Sequence, residues 1–194
     1  MRITFATKNK GKIKELRDLA ENTNLIIDSV PDEVVFPKES GVTYQENALI
    51  KARHIFDLVG TGVIADDSGL EVDSLNGDPG ILSSRYSKEA TDAANINKLL
   101  MNLEKSNNRK ARFRCSMACI LDKNSEPLFS DGILEGLITT EQKGKNGFGY
   151  DPVFFLPKLG FCMAEISNKE KSMISHRAIA FRKMIKKIGQ IKPN

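Results

Sequence analysis

The chain of 194 residues carries 29 Lys and Arg against 25 Asp and Glu, a net charge of +4, with 40% hydrophobic residues and no Trp. Those proportions exclude a disordered, collagen-like or disulfide-stapled chain, and the length suits one domain or two lobes sharing a core. No apolar run approaches the ~18 residues a bilayer span needs, so no membrane association is expected. Three cysteines, an odd number, fit a reducing cytoplasm rather than a secreted disulfide framework.

Strand and helix signals then alternate along the chain. Arg2 to Ala6 reads as a short strand rather than a signal peptide. Gly11 to Ala20 follows as a helix with Ile13, Leu16, Leu19 and Ala20 on one face. Leu25 to Ser29 completes a β-α-β opening with a parallel strand pair. A second helix is predicted from Thr43 to Leu58, and Gly62 to Ala65 is a short buried strand ending at two carboxylates, Asp66 and Asp67. Thr91 to Leu103 has the apolar stripe of a third helix. From Ala111 to Leu121, Phe113, Cys115, Met117 and Cys119 alternate with Arg112, Arg114 and Ser116, the period of a strand. Turn chemistry at Asp122-Lys123-Asn124-Ser125 leads into a returning strand, Pro127 to Ile138. A last helix is predicted from Ser172 to Ile188. Parallel crossovers mixed with a hairpin predict a mixed-sheet α/β fold without an independent linker.

Four segments carry side chains suited to chemistry. Thr7-Lys8-Asn9-Lys10-Gly11-Lys12 lies where the first strand hands over to a helix, and free N–H groups with nearby lysines make an anion site there. It lacks the GxxxxGK[ST] pattern of a P-loop, and in isolation it equally describes a helix cap with solvated lysines. Ala65-Asp66-Asp67-Ser68-Gly69-Leu70 places adjacent carboxylates at a buried strand end, to be offset by lysines or by a hard cation such as Mg²⁺. On extended chain the two point opposite ways, so one of them faces the site. Alone, this segment is also a simple turn. Gly144 to Pro152 is a glycine-rich loop whose Phe148 and Tyr150 can stack on a base. Finally, Lys171, His176 and Arg177 sit at the opening of the last helix, within reach of a phosphate or a carbonyl. The basic C-terminal stretch, Arg182, Lys183, Lys186, Lys187 and Lys192, reads as a solvated helix face, because no aromatic residues interleave.

Together these motifs are more specific than any alone. Thr7-Lys8-Asn9 with Lys12, Glu46-Asn47-Ala48 with Lys51-Ala52, Ala65 to Leu70, Pro79-Gly80, Ser84-Arg85-Tyr86, Gly147 to Pro152, Ala164-Glu165, Lys171 and Ser175-His176-Arg177 span nearly the whole chain. They resemble the inosine triphosphate pyrophosphatase family, which hydrolyses ITP, dITP and XTP to the monophosphate and pyrophosphate. Ser84 and Cys162 depart from the commoner residues of that family, away from the proposed chemistry.

The resemblance implies a single domain over residues 1–194, an elongated mixed sheet flanked by helices, and two lobes around a central cleft. It further implies bound Mg²⁺, a homodimer, a cytoplasmic location and no stable nucleic-acid partner. By motif, Thr7, Lys8, Asn9, Lys10, Gly11 and Lys12 grip the triphosphate, and Ser68 contacts substrate. Asp67 is the catalytic carboxylate and a metal ligand, with Glu39 as a second metal ligand. Phe148, Gly149, Tyr150, Asp151, Lys171, His176 and Arg177 surround base and phosphates; backbone N–H groups of the 148–151 loop, with His176 and Arg177, are expected to donate to the purine 6-carbonyl. As solvated cations, Lys12 and Lys171 are expected to contribute little to stability. Two alternatives stay open: a Maf-type nucleotide pyrophosphatase, whose first loop carries Ser and paired Arg, and a nucleic-acid-binding module using the basic C-terminal helix.

Overall fold

The computed structural model describes residues 1–21 and 23–190; Lys192 lies outside the described residues. The β-α-β opening is formed by β1 (Arg2–Phe5), α1 (Lys10–Ala20) and β2 (Ile26–Ser29), with the two strands parallel from Arg2 opposite Ile26 to Phe5 opposite Ser29. Next come α2 (Tyr44–Val59), β3 (Val63–Val72), α3 (Asp92–Asn102), β4 (Lys110–Ile120) and β5 (Leu128–Ile138). The chain continues through β6 (Phe154–Leu156), β7 (Phe161–Cys162), α4 (Asn168–Ile174) and α5 (His176–Gly189). Among the described residues the strands make a seven-stranded sheet in the order β2-β1-β3-β4-β5-β6-β7. Pairing is parallel at β1–β2 and β1–β3 and antiparallel at β5–β6 and β6–β7, the expected mixed sheet with flanking helices. The strands β6 and β7, three and two residues long, are too short to show a periodicity.

Two expected boundaries are corrected. The strand predicted over Gly62–Ala65 runs on to Val72, so Asp66 and Asp67 lie inside β3 rather than in a turn. A polar run interrupts an apolar pattern, yet a strand passes through it because every carboxylate there has a cationic partner. The single helix predicted from Ser172 is two helices. The capping box of Ser167 and Glu170 starts α4 four residues earlier than Ser172, and Ser175 then turns extended, with φ −62° and ψ 153°. Apolar spacing carries across such a one-residue break and does not register it.

The chain divides into two compact units. The first comprises Met1–Asp67, Cys115–Gly132 and the segment beginning at His176. Its sheet face bearing Ile3, Phe5, Ile64, Cys115 and Met117 is covered by Leu16 of α1 and by Phe181 and Met184 of α5. The opposite face, with Ala6, Val63, Ala65, Ala118 and Ile120, packs on Ala48, Ala52 and Ile55 of α2. Alanines at the α2 contact let that helix approach the strands closely. The second unit comprises Ser68–Arg114 and Ile133–Ser175. Its core joins Leu70, Val72, Phe113, Ile138, Tyr150 and Phe154 to Ile96 and Leu99 of α3, with the rings of Phe113 and Phe154 4.2 Å apart.

Candidate active site

In the first unit, β1 ends against the start of α1. Asn9 caps the helix by accepting the Lys12 N–H at 3.1 Å, and Thr7 Oγ1 accepts the Asn9 N–H at 3.2 Å. Lys8 turns to the Asp32 carbonyl at 2.8 Å, Lys10 is exposed and Gly11 half-buried. Lys12 is not a solvated lysine. Its ammonium sits 2.9 Å and 3.1 Å from the two carboxylate oxygens of Asp66.

The strand pleat sorts the two carboxylates as expected. Asp66 shares its face with Ile64 and meets α1 and α5; Asp67 shares its face with Ala65 and meets α2. Asp66, 1% exposed, accepts from Arg177 Nε at 3.1 Å, and Arg177 Nη1 reaches Glu15 at 2.7 Å. Burial alone would raise the Asp66 pKa, but Lys12, Arg177 and Lys51 outweigh it and hold the carboxyl well below its ordinary range. The guanidinium of Arg177 is 1% exposed. Burial opposes its charge, and Glu15 and Asp66 override that and raise its pKa.

On the α2 face, Asp67 accepts from Asn47 Nδ2 at 3.0 Å and lies 3.7 Å from Lys51 Nζ, which also meets Glu39 at 2.6 Å. Burial and the nearby Glu39 raise the Asp67 pKa against the pull of Lys51, Asn47 and Lys12. Two adjacent aspartates are thus driven in opposite directions. Asp66 is held as an anion, while Asp67 is protonated more readily than an ordinary aspartate.

The residues present fit a hard divalent cation. Asp67 and Glu39 both flank the Lys51 ammonium, and such a cation takes one or two protein carboxylates together with phosphate oxygens and water. Among the described residues no group of three or more His, Cys, Asp or Glu gathers into an all-protein cage.

The second unit holds the glycine-rich loop. Asp151 is its anchor: Oδ2 accepts the Phe148 N–H at 2.9 Å and meets Lys171 Nζ at 2.5 Å. Lys171 also stands 4.5 Å above the centre of the Phe148 ring, a cation–π placement. Gly147 has φ +77°, and a Cβ there would run into the Asp151 carboxylate. Gly149 N–H donates to Asp92 at 2.7 Å, and buried Tyr150 donates its hydroxyl to the Ser83 carbonyl at 2.9 Å. Two expectations are therefore corrected. The N–H of Phe148 is engaged by Asp151 within the loop and that of Gly149 by Asp92 of α3, rather than presented to a purine. Lys171, 6% exposed, is a buried ion-pair partner rather than a solvated cation.

Ser68 is half-buried, next along β3 after Asp67, and His176 is buried at the first position of α5. Glu15, Asn47, Lys51 and Asp92 enter these clusters without having been assigned roles from the sequence. For Asn47 and Lys51 a signal exists: polar residues four apart beside the Ala48–Ala52 stripe of α2. Glu15 and Asp92 look like ordinary surface residues of α1 and α3.

The sequence model of the Ham1 family matches residues 3–187. A dITP/XTP pyrophosphatase of Staphylococcus epidermidis is 46% identical over 179 residues, covering 92% of this chain and 91% of that protein. One of Bacillus licheniformis is 46% identical over 188 residues, covering 94% and 95%. Among solved structures, a HAM1 protein from Coxiella burnetii superposes with TM-score 0.89 at 39% identity, covering 98% of this chain and 100% of that one. The Ham1 protein of Staphylococcus aureus gives 0.86 at 37%, covering 99% and 100%. These matches and the end-to-end agreement of the fold set aside the Maf-type alternative: the chain belongs to the Ham1 family.

Proposed function

We propose that this protein hydrolyses deaminated purine nucleoside triphosphates, ITP, dITP and XTP, to the monophosphate and pyrophosphate, and so keeps abnormal bases out of DNA and RNA. The observation that carries the reading is the split pair in β3. One aspartate is fixed as an anion beside a lysine of the anion-binding loop, and its neighbour has a raised pKa beside Glu39 and Lys51. The names of the relatives supply the substrate class.

In this mechanism water attacks the α-phosphorus, the α–β anhydride bond breaks, and pyrophosphate leaves. Asp67 orients the water and accepts its proton; its raised pKa brings it nearer the operating pH for that task. Thr7 to Lys12, with the N-terminus of α1, hold phosphate oxygens, and Lys12 and Lys51 stand against the charge that develops on them. Asp67 and Glu39 would hold Mg²⁺, which would supply Lewis-acid polarisation of the phosphates. Lys51 pairs with both of those carboxylates. In the second unit, the Phe148 ring serves as a stacking surface for the base, with Lys171 and Asp151 fixing its position; in the first unit, His176 and Arg177 are assigned to base and phosphates. Ser68 contacts substrate. The protein acts as one domain and as a homodimer in the cytoplasm.

Pyrophosphate release from a panel of nucleoside triphosphates, with and without Mg²⁺, is the test. ITP and XTP are expected to turn over far faster than ATP, whose 6-amino group replaces the carbonyl acceptor. Asp67→Asn is expected to lose at least ~10²-fold in kcat. Equal kcat/KM for ITP and ATP, or near-native turnover by Asp67→Asn, would sink the proposal.

A further inference from the structure

Asn47 lies near the start of α2, fully buried, beside the apolar stripe of Ala48, Ala52 and Ile55. A buried amide persists where both of its ends find partners, and here both do. Asn47 Oδ1 accepts the backbone N–H of Gly41 at 2.8 Å, and Nδ2 donates to Asp67 Oδ2 at 3.0 Å. The partners themselves fix which end is which, since an N–H only donates and an ionised carboxylate only accepts. Gly41 stands two residues after Glu39, and one turn further along α2 Lys51 pairs with both Glu39 and Asp67. The amide and the ammonium, four residues apart on one helix, therefore tie Asp67 to the 39–41 segment twice over. Gly41 is fitted to this arrangement: an added Cβ would come within 2.6 Å of Glu46 Cβ and 2.8 Å of Asn47 Oδ1.

We propose that Asn47 is a positioning residue, whose amide fixes the rotation of the Asp67 carboxylate and holds the Glu39-bearing segment at a set spacing from it. The inference rests on the reading of Asp67 and Glu39 as the carboxylates that face the cation and the attacking water. Lys51 acts on the Asp67 carboxylate as a point charge, whereas the hydrogen bond from the Asn47 amide is directional and sets an orientation. Gly41 closes the bridge from its other end.

The test compares the full-length wild type with Asn47→Ala, Asn47→Asp and Gly41→Ala, using ITP turnover and Mn²⁺ binding followed by electron paramagnetic resonance without nucleotide. Asn47→Asp keeps an acceptor for Gly41 but turns a second carboxylate on Asp67, so it separates the two halves of the bridge. Each folded variant is expected to lose roughly 10–100-fold in kcat with KM for ITP within about threefold, and to bind Mn²⁺ about tenfold more weakly. Combining Asn47→Ala with Gly41→Ala is expected to do no more than either alone. Wild-type kcat in a folded variant, a kcat loss with unchanged Mn²⁺ affinity, or multiplicative effects in the double variant would each overturn the proposal. Should Asn47→Ala fail to fold, Gly41→Ala and Asn47→Asp decide the matter by the same criteria. Asp67→Asn is the reference. If it stays active, the underlying reading fails; if it is inactive while the Asn47 variants match wild type, that reading stands and the positioning role falls.

Discussion

Asp66 and Asp67 differ by one step along a strand, and that step puts them in opposite electrostatic settings. The same logic governs the lysines. Lys8 and Lys10 are exposed, whereas Lys171 is buried against Asp151. An exposed lysine contributes little to stability, but removing one member of a buried pair leaves an uncompensated charge, which costs about 3–5 kcal/mol. Lys171→Ala is therefore expected to lower the denaturation midpoint markedly, in contrast to Lys10→Ala, which should leave it near wild type. Arg177→Ala belongs with Lys171→Ala, because it breaks buried ion pairs to both Glu15 and Asp66. Urea unfolding of the three variants checks this ordering, and a Lys171→Ala protein as stable as Lys10→Ala would refute it.

At the scale of elements, capping decides where the site residues fall. The reciprocal bonds of Thr43 and Glu46 fix the first turn of α2, and Asn47 and Lys51 follow on the face toward β3. Thr43→Ala removes the acceptor for the Glu46 N–H and is expected to lower stability by about 1 kcal/mol. Because the 39–41 segment leads into that cap, ITP turnover should fall as well. Chemical denaturation beside a kinetic assay reads both effects, and an unchanged midpoint would count against the cap. The break at Ser175 has a comparable consequence, since it lets α4 carry Lys171 to the glycine-rich loop while α5 begins anew with His176 and Arg177.

For the whole molecule, the thiols report on integrity. Cys115, Cys119 and Cys162 are all buried. Burial pushes the Cys119 thiol up to about 12, so at pH 8 only roughly one part in ten thousand is thiolate. Raising an acid's pKa suppresses its anion, so alkylation of the native protein should be slow at pH 8 and speed up as the pH rises. In urea all three thiols should react at the rate of an exposed cysteine. Iodoacetamide labelling followed by mass spectrometry measures both states; rapid labelling of Cys119 in the native protein at pH 8 would contradict its burial. Homodimer formation is checked by light scattering, where a mass of 21.5 kDa for the chain at all micromolar concentrations would exclude it.

Periodicity in the sequence determined the β-α-β opening, the helices α2 and α3 and the long strands β4 and β5, because each presents a repeating apolar face to its own unit's core. The site segments were also legible, since Lys, Asp and Gly clustered at element boundaries have few packing reasons to be there. What tertiary structure alone decided is pairing. Nothing in the spacing of Lys12, Asp66, Glu15 and Arg177 says that these four residues, distant in sequence, meet in one buried network. Nor does it say that Asn47 joins Gly41 to Asp67, or that Asp151 holds both Lys171 and the Phe148 N–H. A charged side chain carries no period that names its partner. Its setting, and hence its protonation and its stability contribution, arises only when strands and helices distant in sequence exclude water around it.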